Sequence, residues 1–109
     1  MRTIYVAHPM GGKADLRRAT RWVCWIYRNH PGVVAIAPDD GGDELLEAED
    51  PDPAKRETAL RKVATVARLA DEVWLVGGRV TEAMRRAAVA GRAVRDMTEL
   101  GPEPPTGSA

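Results

Sequence analysis

The run from Asp71 to Met84, Asp-Glu-Val-Trp-Leu-Val-Gly-Gly-Arg-Val-Thr-Glu-Ala-Met, carries residues whose types and order could do chemistry. Val73 to Val76 reads as a short buried strand, Gly77 and Gly78 break it, and Thr81 can cap a helix starting at Glu82. Backbone N–H groups at a helix start are unpaired and partly positive, so phosphate or carboxylate is favoured there. Glycine lets a ligand approach the backbone closely. Arg79, Thr81 and Met84 complete the candidate ligand-binding set at this junction. A strand that turns through glycines into a helix is also an ordinary connection, so this stretch does not name a ligand by itself.

Two further loops supply polar groups. His8-Pro9-Met10-Gly11-Gly12 interrupts a β-rich run, Thr3 to Ala7, and Asp39-Asp40-Gly41-Gly42-Asp43 follows a second apolar run, Val33 to Ala37, ended by Pro38. The unalternating composition of that second run suits a strand buried on both faces. Each charged residue taken alone reads as a solvated loop side chain. Their meaning depends on whether the fold gathers them.

The elements that must position them follow from periodicity. Asp15 is read as the cap of a helix running to Asn29, with Leu16, Ala19, Val23 and Ile26 on its apolar stripe and Trp22 and Trp25 widening it. Asn29-His30-Pro31-Gly32 stops it. Glu44 to Asp52 is acidic and can hold a helical turn, and Pro53 can start a longer helix, over 53–70, carrying Leu60, Val63, Ala64, Ala67 and Leu69. A short helix over 82–90 closes at Gly91, and Ala93 to Arg95 reads as a last strand. The order βαβαβαβ predicts a three-layer α/β fold with a four-stranded parallel sheet, order 2-1-3-4, flavodoxin-like or Rossmann-like. Right-handed crossovers then bring loops 8–12, 38–43, 77–82 and 96–99 to one carboxyl edge, gathering His8, Asp39, Asp40, Thr81, Glu82 and Asp96.

With 109 residues and 44% apolar content the chain supports one domain, over 1–100, and the Pro- and Gly-rich 101–109 reads as a disordered tail. Sixteen basic and sixteen acidic side chains cancel, so neither a nucleic-acid polymer nor a membrane is expected as partner, a local patch being the exception that the total leaves open. The single cysteine, Cys24, is read as core. No apolar run reaches membrane-spanning length and no leader pattern opens the chain, so a cytoplasmic setting is expected.

The motifs Ile-Tyr-Val-Ala-His-Pro-Met-Gly-Gly, Ile-Ala-Pro and Ala-Asp-Glu-Val-Trp-Leu-Val-Gly-Gly-Arg-Val-Thr, in this order, resemble the nucleoside 2-deoxyribosyltransferase-like family, and its small phage-associated branch in particular. The similarity spans roughly residues 3–101 and rests on the set rather than on any one motif. It implies an N-glycosidase or transferase acting on a nucleoside or nucleotide, with a Glu nucleophile that takes the sugar as a covalent intermediate. No metal or cofactor is implied, and a homodimer is an expectation. Tyr5 matches the tyrosine that touches the nucleophile in the family, and His8 to Gly12 matches the loop over the sugar or its phosphate.

The resemblance fails at two positions. Six residues after Thr81, where the family has its Glu, stands Ala87; eight before Asp71, where it has an Asp, stands Val63, beside Arg61 and Lys62. Neither side chain can act as nucleophile or acid, so the family mechanism cannot run with its usual residues. Glu82, with Tyr5, is the remaining catalytic candidate, although a first-turn Glu also suits the helix dipole without any function. Three readings compete: a binding domain that has lost the chemistry, a divergent enzyme using Glu82, and an oligomeric interaction protein with a vestigial pocket.

Overall fold

The computed structural model describes residues 1–10, 12–37 and 52–105. Gly11, Asp39, Asp40 and the acidic piece up to 51 lie outside the described residues. The elements are β1 (Arg2–Ala7), α1 (Lys13–Asn29), β2 (Val33–Ile36), α2 (Pro53–Leu69), β3 (Glu72–Leu75), α3 (Glu82–Ala90) and β4 (Val94–Asp96), followed by a 3-10 turn at Thr98–Leu100. All strand pairs are parallel and the order is β2-β1-β3-β4, as the crossover rule predicts.

Alternation along the central strands divides the core in two. Ile4 and Val6 of β1 and Trp74 and Val76 at β3 face α1, where they pack with Trp22 and Ile26. Tyr5 and Ala7, with Val73 and Leu75, face α2 and α3, where they pack with Ala59, Leu60, Val63, Ala67, Met84 and Ala87. Among the described residues one helix covers one face and two cover the other.

Local sequence sets several boundaries as read. Asp52 caps α2, its side chain accepting from the amides of Ala54 and Lys55, and Pro53 opens that helix where a missing N–H costs nothing. Thr81 caps α3 by accepting from the Met84 amide at 3.2 Å. Gly91 ends α3 with an extended φ of -69° rather than a left-handed one; glycine is needed because a Cβ there would lie 2.7 Å from Cγ2 of Val73.

Four expectations are corrected. β2 is an edge strand rather than doubly buried, and Ile36 is 41% exposed; the Tyr27 hydroxyl satisfies its outer edge, accepting from Ala35 N at 3.1 Å and donating to Ala35 O at 3.3 Å. Asp15 is not the α1 cap, because the helix already starts at Lys13 with Gly12 as an N-cap that makes no side-chain bond. Cys24 is exposed, not core, since it falls on the side of α1 opposite Ala19, Trp22 and Ile26. The last strand is Val94–Asp96, one residue later than read.

Residues 101–105 differ from the reading as a disordered tail. The Trp22 indole N–H donates to the Pro102 carbonyl at 2.9 Å, and Glu103 accepts from Arg18 and Arg21. Among the described residues no helix is long and apolar enough to cross a membrane.

Candidate functional site

The carboxyl ends of β1 and β3 are adjacent, and between them the chain order reverses: β1 connects through α1 to one side, and β3 is reached through α2 on the other. This is the switch point where open α/β sheets hold ligands. The two loops flanking it are the His8-containing and Gly77-containing segments that the sequence singles out.

His8 is 5% exposed at the end of β1. Its Nδ1 lies 2.8 Å from the Pro9 carbonyl; a carbonyl only accepts, so Nδ1 carries the proton and a neutral ring keeps its lone pair on Nε2. Pro9 and Met10 are buried. Gly77 and Gly78 both have positive φ, 102° and 85°, and their own chain fills the space beside them. A Cβ at Gly77 would lie 2.6 Å from Cδ of Pro9, and one at Gly78 2.8 Å from N of Pro102. The pair is therefore required by turn geometry and packing, before any ligand is considered. Gly78 is otherwise exposed, which leaves part of that turn open to solvent.

Arg79 reaches back to α1. Its Nη2 is 3.2 Å from Asp15 Oδ2, and Asp15 Oδ1 is 3.0 Å from Arg18 Nη1. Asp15 thus ties the β3 turn to the first turns of α1. Asp96, the last residue of β4, accepts from the Thr98 hydroxyl at 2.6 Å and the Thr98 amide at 2.9 Å. Those bonds, the hydroxyl's first, hold its carboxyl below the usual range and mark it as a turn-forming residue.

The two catalytic candidates stand apart in character. Tyr5 is 2% exposed in the α2/α3-face core, in the same cluster as Val63, Met84 and Ala87. Tyr5 therefore has apolar side chains and no carboxylate among its cluster partners. Glu82 is exposed and ion-paired with Arg56 at the start of α2. Met84 is 1% exposed and belongs to the core; its sulfur lies 3.4 Å from the Thr81 amide, so it serves the α3 cap. Among the described residues no three His, Cys, Asp or Glu side chains form a metal-binding group.

Sequence reasoning missed the chain of ion pairs Arg79–Asp15–Arg18–Glu103–Arg21 along this edge. Its partners are up to 85 residues apart, and no local pattern signals them. No family model, curated protein or solved structure matches this chain.

Proposed function

We propose that the protein is a nucleoside- or nucleotide-binding α/β domain of nucleoside 2-deoxyribosyltransferase-like character in which N-glycosidic bond cleavage is lost. The observation that carries the reading is the composition of the Tyr5 cluster. Val63 is 7% exposed and Ala87 is fully buried in that cluster, so the two positions where the resemblance places carboxylates hold no acid, base or nucleophile. The binding half of the reading is supported by the two Gly/Pro loops at the β1/β3 switch point, with His8, Arg79 and Thr81 on them. Glu82 is a weak replacement nucleophile, since its carboxylate is committed to Arg56 at the surface rather than set in a dry pocket beside Tyr5.

Calorimetry with the common deoxynucleosides and their 5′-monophosphates, run beside a base-release assay, tests the reading. Binding without base release is the expected result. Robust turnover that Glu82→Gln abolishes while binding persists would establish the divergent enzyme in its place. No binding and no turnover would leave the interaction protein with a vestigial pocket.

A further inference from the structure

The cancelling net charge conceals an uneven distribution. Seven of the sixteen acidic side chains fall between residues 38 and 51, a stretch without Lys or Arg, so the rest of the chain holds sixteen cations against nine carboxylates. The imbalance is large on α1, which, like α2, carries five cations against one acid. Lys13, Arg17, Arg21 and Arg28 are all exposed, and Asp15 is the helix's single acid. Steps of four, four and seven residues put these cations on one stripe, opposite the buried Ala19, Trp22 and Ile26. At 1.5 Å per residue the stripe is about 22 Å long.

Lys13, Arg17 and Arg28 form no ion pair with described residues. Arg21 does, and its partner shows what the stripe attracts. The Glu103 carboxylate, 82 residues away in sequence, is held from two sides: Arg21 Nε and Nη2 at 2.5 and 2.9 Å, and Arg18 Nε at 2.7 Å. This is the fork geometry by which guanidinium groups take carboxylate or phosphate. Tyr27, 48% exposed, flanks Arg28 and offers an aromatic ring at the stripe's margin.

We propose that the outer face of α1 binds the phosphodiester backbone of a nucleic acid, with Glu103 occupying part of that surface in cis. Three of the four cations are arginines, which suit repeated phosphates, and the line is long enough to follow several of them. This stripe adjoins the loops of the β1/β3 switch point at Lys13 and runs away from them along α1, and the proposal holds whether or not a nucleotide binds there.

The single cysteine, exposed on the same stripe between Arg21 and Arg28, supplies a footprint on the full chain. A 20-nucleotide single strand and a 20-base-pair duplex, at low salt, should each be tested for slowing alkylation of Cys24 by a maleimide. At least about fivefold protection by one of them is expected, with binding in the micromolar range by fluorescence anisotropy that weakens steeply with salt. Replacing Lys13, Arg17, Arg21 and Arg28 with Gln should weaken binding at least tenfold and flatten the salt slope, while circular dichroism stays native. Glu103→Gln should tighten binding two- to threefold. The proposal is overturned if neither oligonucleotide binds below roughly 100 µM, if binding leaves Cys24 unprotected, if the fourfold variant binds as well as the parent, or if a poly-glutamate peptide binds as tightly as the oligonucleotides.

Discussion

The two faces of the sheet are built from different materials. On the α1 side two tryptophans, Trp22 and Trp74, are fully buried with Ile4 and Ile26. On the other side the cluster is Tyr5, Met84, Leu60 and several small residues, Ala59, Ala67 and Ala87 among them. Large side chains fill the space under α1, whereas α2 and α3 pack onto the sheet over alanines, both at the close packing that protein interiors require. The contrast bears on function. The face that holds Ala87 depends for its spacing on small apolar groups, so a carboxylate introduced there must displace core packing.

The largest effect expected is on the tryptophan face. Trp74 sits in a central strand, with His30 edge-on at 5.0 Å and the Arg95 guanidinium 4.7 Å from its ring. Trp74→Ala should cost about 3–5 kcal/mol in urea melts. A loss below about 1 kcal/mol would show that this face is not the better packed of the two.

Next comes the small-residue face. Ala87→Glu places a carboxylate at a fully buried position, and should cost about 3 kcal/mol or more at pH 7. Burial raises the carboxyl's folded-state pKa above its unfolded value. The charge penalty is therefore present above the folded pKa and disappears as pH falls below the unfolded value near ~4.3. The gap between the melts of variant and parent should narrow in acid to the packing cost of the larger side chain. A cost under about 1 kcal/mol with no pH dependence would mean that Tyr5 borders a wet pocket, which would strengthen the divergent-enzyme alternative.

Smaller again is Gly91→Ala. The backbone at φ -69° accepts any residue, so the expected loss of about 1–2 kcal/mol comes from the new methyl pressing on Val73. Stability equal to the parent's would show that α3 can slide over β3, and that the close spacing of this face is not a constraint.

The smallest effect belongs to the segment fastened on the tryptophan face. Hydrogen bonds from Arg21, then Arg18, lower the Glu103 carboxyl from its usual 4.5 to about 2. Because the folded pKa is depressed, this fastening is complete above about 4.5 and is lost as pH falls through about 2. Trp22 donates to Pro102 next to Glu103, so its fluorescence should be flat from pH 7 to 5 and change only in strong acid. A transition near pH 6 would contradict the ion-pair account and move the segment's anchorage elsewhere.

Local chemistry made the scaffold legible. Glycine and proline breaks, the β-rich run Thr3–Ala7, the apolar run Val73–Val76, the start of a helix at Pro53 and the Thr81 cap are all decided within a few residues, and the handedness of parallel crossovers converts their order into β2-β1-β3-β4. That Ala87 and Val63 carry no acid was readable too, because side-chain type needs no coordinates. Pairings across long stretches of chain were decided only by the tertiary structure. β2 reads as a buried strand because composition records hydrophobicity and not position in the sheet, yet strand order puts it at the edge. Cys24 sits among apolar neighbours, but helical rotation turns it to solvent. Gly77 and Gly78 looked like room for a ligand until Pro9 and Pro102 filled the space beside them. Glu82 and Glu103 are ordinary surface acids in sequence; only the fold sets Arg56 against one and Arg18 and Arg21 against the other, because an ion pair depends on distance in space and sequence separation does not encode it.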